Sequence, residues 1–356
     1  MTTDMSSALA SQVNYHHRES PSAALCNWRL GGILRLRQTA RSKSLVAVIL
    51  LVIFIHAAPA PGQKLTQIHI GVPTNTVTWF PLYVAWKKGI FQEYGIELLP
   101  VTMSVRASLG ALASRHVSYI TPLGSSLTAI ANGLPAKVIM IFAVRSHHVL
   151  VAKRDIAGPG ALRGRSVAIS QPGGTVHRQF LKILEHYRVD PKSVNMINLG
   201  EMPARALALK ANNIDAAMLS VPYDLFMEKD GFRPIAYMKD IAEFPLLGLV
   251  AHDDRLREKS EEVRKILAAA LKGIAYTKSH RDDVLPLLKQ FAGLPDMEMT
   301  RKTFDVIKDV WPDNGIPSNT GLATAVSMAD VPANFPVDKL VDWSPVSETA
   351  ASLKVR

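Results

Sequence analysis

Short runs of small polar residues lie where predicted β-strands end and helices begin. Hydroxyls and free backbone N–H groups at such positions, with the partial positive charge of a helix N-terminus, can hold a small anionic molecule. In an open α/β sheet, ligands bind outside the carboxyl ends of the strands. Four such runs therefore predict a ligand-binding cleft. They are residues 73–76, 121–126, 171–175 and 220–223, which follow predicted strands at 68–72, 117–120, 167–170 and 214–219.

Twelve residues in or beside these runs are candidates for contact with the ligand. Most offer a hydroxyl, an amide, a guanidinium or a backbone N–H that donates hydrogen bonds, and two carry aromatic rings that can stack. The candidates are Thr74, Asn75, Trp79, Gly124, Ser125, Ser126, Arg145, Gly173, Gly174, Thr175, Pro222 and Tyr223.

Several of these candidates also have a simple structural interpretation. Gly173, Gly174 and Thr175 either hold an anion or form a tight turn with Thr175 as the helix N-cap. Trp79 either stacks on a flat ligand or packs in the core. Arg145 either pairs with a carboxylate or sulfonate or stabilises the crossing between domains.

The sequence contains no motif that predicts catalysis. It has no nucleophile elbow, P-loop or HExxH motif. His147 and His148 are adjacent, so on a strand they would point to opposite faces, and no third metal ligand accompanies them. Cys26 is the only cysteine, which excludes a disulfide within one chain. We therefore predict a binding protein without a metal or cofactor, not an enzyme.

The chain is long enough and apolar enough for two folded domains. It has 356 residues, of which 48% are hydrophobic and 20% are charged. The formal net charge is +11, and it falls to +7 for residues 64–356. This moderate positive charge is compatible with an anionic ligand. Because no run of Lys and Arg has aromatic residues interleaved with it, we do not expect nucleic-acid binding.

An apolar segment near the N-terminus predicts export. Residues 45–55 form an uncharged apolar run after four basic residues, shorter than the ~20 residues of a membrane span. The pattern matches the hydrophobic region of a secretory signal, with Ala60 and Gly62 placed for cleavage after Gly62. We therefore expect residues 1–63 to be a lead and signal peptide, and the mature protein to be periplasmic. The alternative is a membrane anchor formed by residues 45–58.

From residue 64 onward, predicted strands alternate with predicted helices. Such alternation is typical of βαβ units and a mostly parallel sheet. We predict a two-lobe α/β fold in which each lobe is a mostly parallel sheet flanked by helices. Lobe 1 is expected at residues 64–148 and 252–356, lobe 2 at residues 149–251, and the crossings between them near residues 149–152 and 246–251.

Several stretches match a known family in their order and spacing. They are residues 81–85 (PLYVA), 88–91 (KGIF), 94–97 (YGIE), 131–135 (ANGLP) and 206–222. Through them the chain resembles the periplasmic substrate-binding proteins of ABC importers, and most of all the branch that binds sulfonates, nitrate or thiamine-precursor pyrimidines. The resemblance implies a type II periplasmic-binding-protein fold, whose two lobes close about a two-strand hinge on a small-molecule ligand. It also implies a monomer that delivers this ligand to the transmembrane subunits of an ABC permease.

One stretch departs from the pattern of the family. A Gly-x-[Val/Ile]-Asp pattern is usual in the first lobe, and residues 213–215 keep its end in the second lobe. In the first lobe, residues 115–118 (RHVS) replace it. The ligand contacts of the family therefore do not carry over directly around Thr121.

Three other functions are alternatives on the same fold. The first is an enzyme, either of the menaquinone pathway or like the yeast-type pyrimidine synthase, which needs a cysteine-rich stretch that this sequence lacks. The second is a ligand sensor anchored to the membrane. The third is the effector domain of a transcription regulator, which would need a helix-turn-helix that residues 1–63 do not contain.

Overall fold

Two five-stranded sheets organise the protein. The computed structural model describes residues 65–72, 76–332 and 334–354. The predicted export segment, its alternative as an anchor, and the candidates Thr74 and Asn75 lie outside the described residues. We call the first sheet and the helices around it lobe 1, and the second sheet with its helices lobe 2.

Both sheets are mostly parallel, which confirms the predicted fold class. The strands are β1 (Thr66–Val72), β2 (Ile96–Thr102), β3 (Tyr119–Pro122), β4 (Ala136–Ala143), β5 (His148–Ala152), β6 (Ser166–Ile169), β7 (Asn195–Asn198), β8 (Ala216–Ser220), β9 (Arg233–Tyr237) and β10 (Leu247–His252). The order is β2-β1-β3-β10-β4 in lobe 1 and β7-β6-β8-β5-β9 in lobe 2. One strand in each sheet is antiparallel to its neighbours, namely β10 and β5.

The antiparallel strands show where the other strands end. β5 begins at His148, which pairs with Ser220, the last residue of β8. β10 begins at Leu247, which pairs with Pro122 and Ala143, the last residues of β3 and β4. The chain enters β5 and β10 directly after it passes between the sheets. The carboxyl ends of these parallel strands therefore lie beside the crossings, and we call this edge of each sheet the cleft edge.

The chain passes between the lobes at residues 144–147 and 238–246, and the N–H of Phe244 in the second segment donates to the carbonyl of Val144 in the first. This corrects the crossings predicted near residues 149–152 and 246–251, because both runs lie inside the sheets as β5 and β10. β10 consequently belongs to lobe 1, not to lobe 2. The apolar character of the two runs reflects central strands, which are buried on both faces.

Helices pack on both sheets. In chain order, the α-helices of the described residues are α1 (Phe80–Lys87), α2 (Ile90–Glu93), α3 (Val105–Ala113), α4 (Leu123–Ala131), α5 (Thr175–His186), α6 (Met202–Lys210), α7 (Tyr223–Lys229), α8 (Asp253–Glu258), α9 (Ser260–Ser279), α10 (Arg281–Ala292), α11 (Met297–Ile307), α12 (Asn319–Met328) and α13 (Ser344–Ser352). Lys259 separates α8 from α9. No helix in the described ranges is both long and apolar enough to span a bilayer.

An apolar core joins the sheet of lobe 1 to the helices after β10. Trp311 is fully buried in this core, and its indole N–H donates to the carbonyl of Val77 at 3.2 Å. α9 packs closely on α1. At Gly273 of α9, a Cβ atom would lie 2.6 Å from the Cβ of Ala85 and 2.9 Å from the carbonyl oxygen of Pro81. This contact requires glycine, because protein interiors leave no room for an added methyl group.

The departure from the family pattern lies away from the cleft edge. In lobe 2, Asp215 precedes β8 and accepts hydrogen bonds from the N–H and hydroxyl of Ser166, both at 2.9 Å. Burial raises the pKa of Asp215, but its hydrogen bonds outweigh burial and hold it at about 2. In lobe 1, Ser118 stands before β3, and Arg115 instead pairs with Asp254. Both positions lie at the amino ends of strands, so the substitution leaves the cleft edge unchanged.

Candidate functional site

Four helices begin at the cleft edge without a side-chain cap. They are α4, α5, α6 and α7, which follow β3, β6, β7 and β8. In none of them does the side chain of the N-cap residue accept from the first-turn N–H groups, although in α7 the Asp224 carboxylate accepts from the N–H of Leu225. The helix dipole adds partial positive charge at each of these ends. α4 belongs to lobe 1 and the other three to lobe 2. Both cleft edges consequently present donors suited to an anion.

In lobe 1, the first turn of α4 contains three candidate residues. Gly124 and Ser125 are exposed, and the space around Gly124 is open. Ser126 is fully buried, and its hydroxyl donates to the carbonyl of Pro122. The structure thus corrects the expectation that Ser126 offers a free hydroxyl, because its proton is engaged within the helix.

In lobe 2, two glycines form the turn that leads into α5. Gly173 has a φ of 77°, a conformation that glycine adopts without steric cost. At Gly174, a Cβ atom would lie 3.0 Å from the carbonyl oxygen of Gln171. Gly174 is the N-cap residue, which corrects the interpretation of Thr175 as the cap. Thr175 is the first residue of α5 and is exposed.

Arg178 joins the glycine turn to lobe 1. Its Nε donates to the carbonyl of Gly173 at 2.6 Å. Its Nη2 donates to both carboxylate oxygens of Asp330, at 2.8 and 2.6 Å. Asp330 lies just after α12, which packs on α4 of lobe 1. This ion pair therefore connects the two lobes beside the predicted site.

Two candidates, Trp79 and Arg145, have structural roles and do not face the cleft. Trp79 is 4% exposed and packs edge-to-face on Tyr83 and Phe291, with ring centroids 6.0 and 5.0 Å apart. Arg145 donates from Nη1 to the carbonyl of Lys239 at 2.7 Å, and so ties the first crossing to the second. Trp79 is thus a core aromatic residue, and Arg145 stabilises the crossings.

The loop after β8 carries a tyrosine and a buried carboxylate. Pro222 is the N-cap residue of α7, and Tyr223 is half-buried, with its ring edge-to-face against Phe226. Asp224 is fully buried and accepts a hydrogen bond from the hydroxyl of Tyr237 at 2.9 Å. Burial raises the pKa of Asp224 to about 6, and the Tyr237 hydrogen bond opposes this rise. Asp224 was not recognised from the sequence, because an aspartate in a first helical turn is common.

A buried polar network lies where the first crossing meets β5. The hydroxyl of Ser146 donates to Oε1 of Gln179 at 2.7 Å and is 2.9 Å from Nδ1 of His148. Gln179 is fully buried, and its Nε2 has no hydrogen-bond partner among the residues that the structure describes. This nitrogen is thus an unused donor close to the start of β5.

The rings of the two adjacent histidines contact each other, with their planes tilted by 31°. Their ring centroids are 4.6 Å apart, so the expectation that they point to opposite faces is wrong; His147 precedes β5 and lies in the crossing. Burial lowers the pKa of His147 to about 4. Burial, His147 and the positive charge of Arg205 lower the pKa of His148. Both rings are therefore neutral near pH 7.

Arg205 is a buried cation that the sequence analysis missed. It is 4% exposed, and its Nε donates to the carbonyl of Met218 at 2.8 Å, while Nη1 donates to that of Gly200. Among the described residues, no carboxylate lies within 4.0 Å of its guanidinium. Burial lowers the pKa of Arg205, and the negative charge of Glu201 opposes this. Arg205 lies one turn inside α6, whereas the candidates chosen from the sequence lie in or beside the loops.

Comparison with known proteins identifies a family that this chain matches. The family model described as NMT1/THI5 like matches residues 76–284. The riboflavin-binding protein RibY of Chloroflexus aurantiacus is 24% identical over 281 residues, which are 75% of this chain and 79% of that protein. The taurine-binding periplasmic protein of Escherichia coli is 34% identical over 163 residues, which are 44% of this chain and 50% of that protein.

Solved structures share the fold. The periplasmic aliphatic sulphonate binding protein SsuA from Escherichia coli superposes with a TM-score of 0.64 at 18% identity, over 77% of this chain and 97% of that one. A desulfurization enzyme has the same fold, so the fold alone does not separate binding from catalysis. Because the family model covers more than half of the sequence, this chain belongs to the NMT1/THI5-like family.

Proposed function

We propose that this chain is the solute-binding component of an ABC importer. It captures a small anionic molecule between its lobes in the periplasm and delivers it to the transmembrane subunits of the permease. Membership of the family and the likeness to periplasmic binding proteins support this function. The relatives named for taurine and for aliphatic sulphonates favour a sulfonate as the ligand class.

The observation that carries this proposal is the pair of uncapped helices at the two cleft edges. α4 of lobe 1 and α5 of lobe 2 begin there, with the exposed hydroxyl groups of Ser125 and Thr175 in their first turns. A sulfonate has three oxygens that accept hydrogen bonds, so donors from both lobes can bind it at once. A ligand held in this way stabilises the closed arrangement of the lobes.

Riboflavin is a second candidate ligand because one relative is named for it. A flavin ring would be expected to stack on an aromatic side chain. Of the two aromatic candidates, Trp79 is buried in the core and the ring of Tyr223 packs on Phe226. The hydrogen-bond donors at the cleft edges suit an oxyanion better than a flavin.

Binding, not catalysis, is the activity we propose. Ser146 and His148 form a serine–histidine pair that could suggest a nucleophile and its base. Ser146 is fully buried, however, and its proton is donated to Gln179. The hydroxyl is therefore neither accessible to a substrate nor activated by the histidine.

Calorimetric titration of the mature chain with taurine, ethanesulfonate, nitrate and riboflavin tests the function. We expect one of the sulfonates to bind with a Kd of about 10 µM or tighter, which corresponds to roughly 7 kcal/mol. Riboflavin should not bind. Binding of riboflavin without any sulfonate would overturn the ligand class, and turnover of a bound ligand would overturn the assignment as a binding protein.

Export is the part of this proposal that depends on the N-terminal segment. We propose that the mature protein begins near Gln63 and is released into the periplasm. N-terminal sequencing of the periplasmic fraction from the native host checks the cleavage position. Recovery of full-length chain from membranes alone would support the anchored alternative.

A further inference from the structure

We propose that Arg205 binds the charged headgroup of the ligand. This inference rests on the proposed function and deepens it, because it adds one charged residue of lobe 2 to the donors that hold the sulfonate group. Arg205 is not among the residues selected from the sequence.

The register of the sheet locates the guanidinium. β6 and β8 pair in parallel as far as Ala168 and Ala217. The Nε of Arg205 donates to the carbonyl of Met218, the next residue of β8. The carbonyl that holds the guanidinium is therefore one residue past the last β6–β8 pair, level with Ile169 at the carboxyl end of β6. The glycine turn starts from this end and leads into the uncapped N-terminus of α5.

The guanidinium carries a buried charge that no carboxylate in the described parts of the chain contacts within 4.0 Å. Glu201, one turn earlier in the chain, is exposed and forms no ion pair with it. The carbonyls of Met218 and Gly200 hold the group in place but do not neutralise it. A buried charge without a partner is costly. An anionic ligand at the end of β6 would supply this partner.

One nitrogen of the guanidinium is available for that ligand. Nε and Nη1 are engaged with the backbone, whereas Nη2 donates to none of the described residues. Arginine can fix its position with two nitrogens and still present a third, which lysine cannot do. An arginine at this position can thus be held by the backbone and still donate from Nη2 to a ligand.

A second unused donor lies on the other face of the sheet of lobe 2. α6, which carries Arg205, packs Ala206 and Leu209 on one face, whereas α5, which carries Gln179, packs Phe180 and Ile183 on the other. The buried Nε2 of Gln179 has no partner in the described residues. The unused Nη2 of Arg205 is therefore the donor that we assign to the ligand.

A comparison of taurine with 2-aminoethanesulfonamide, whose headgroup is uncharged, tests the inference. Wild type should prefer taurine by about tenfold or more, because hydrogen bonds to a charged group are the stronger ones. Arg205→Gln should reduce this preference to about threefold or less. Arg205→Lys should keep part of the preference, because it retains the charge and loses the fork of donors.

The control is Arg233→Gln. Arg233 is an exposed arginine at the opposite end of the same sheet, where it pairs with Ala152. This variant should keep the full preference for taurine. Thermal unfolding followed by circular dichroism shows which variants are folded.

A measurement on wild-type protein covers the case in which Arg205→Gln does not fold. The NMR signal of the Arg205 side-chain Nε–H, assigned with Arg205→Lys, should shift when taurine is added and not when the sulfonamide is added. A shift with both ligands, or with neither, would overturn the inference.

The titrations separate this inference from the proposed function. If wild type binds no sulfonate, the function itself fails. If wild type prefers taurine and Arg205→Gln keeps that preference, Arg205 is not the headgroup residue and the function stands. Equal weakening of both ligands in Arg205→Gln would assign Arg205 a structural role only.

Discussion

Two neighbouring serines in α4 differ in what their hydroxyl groups can do. Ser125 is exposed, whereas the buried hydroxyl of Ser126 donates to the carbonyl of Pro122. We therefore expect Ser125→Ala to weaken taurine binding by about three- to tenfold, the effect of one lost hydrogen bond. Ser126→Ala should leave the affinity unchanged. Calorimetric titration measures both, and an equal loss in the two variants would contradict the placement of the ligand.

Asp224 predicts a pH dependence of stability. Burial raises its pKa to about 6, so between about pH 4 and 6 the folded protein keeps a proton that the unfolded chain has released. The stabilisation of the folded state that this proton provides is fully present below pH 4 and is lost as the pH rises through 6. Asp224→Asn should consequently be more stable than wild type at pH 7.5 by roughly 2–3 kcal/mol, and the difference should disappear at pH 4.

Urea unfolding at the two pH values measures this difference. Asp240→Asn is the control, because the carboxylate of Asp240 is exposed. If wild type and Asp224→Asn differed in free energy of unfolding by the same amount at both pH values, the pKa of Asp224 would not be raised by burial.

The sequence located the loops of the candidate site better than it located side chains. The polar runs after β3, β6 and β8 do lie at the cleft edge, because the carboxyl ends of parallel strands share one edge. The direction of a side chain depends on tertiary packing, however, and Trp79, Ser126 and Arg145 all turn toward the protein. Arg205 was missed because its contacts with Met218 and Gly200 arise only when α6 packs on the sheet.

At the level of elements, we expect replacement by alanine to have opposite effects on stability at two helical glycines. Gly273→Ala should destabilise the protein by about 1–3 kcal/mol, because its Cβ would overlap Ala85 of α1. Gly110→Ala in α3 should stabilise it by about 0.5–1 kcal/mol, because the site is open and alanine favours a helix. Chemical unfolding of both variants is the measurement. Stabilisation by Gly273→Ala would show that α9 and α1 are not in close contact.

Alternation of strands and helices made most elements predictable, but their place in the fold was harder to infer. β5 and β10 are short apolar runs, and the sequence analysis interpreted them as crossings. Periodicity cannot separate a crossing from a central strand, because both are apolar and short. The C-terminal helix α13 was not predicted at all.

At the level of the whole molecule, the Arg178–Asp330 pair predicts how the lobes move. Taurine should reduce the radius of gyration in small-angle scattering, because the ligand holds both lobes. Asp330→Asn removes one interlobe ion pair, worth about 0.5–1 kcal/mol, and should enlarge the ligand-free protein.

The control for this experiment is Glu185→Gln, which breaks a pair with Lys182 inside α5 and has the same effect on net charge. It should leave the radius unchanged. No compaction of wild type at saturating ligand would contradict closure about a hinge. An unchanged radius for Asp330→Asn would contradict only the role of the ion pair.

The position of β10 also determines the order in which the lobes can be completed. β10 lies between β3 and β4, so β4 has no neighbouring strand in its sheet until residue 252 has been made. Lobe 2 has all five of its strands between His148 and Tyr237. A chain that emerges N-terminus first therefore completes the second sheet while the first is still open. The lobe that begins first along the chain is the last to close its core.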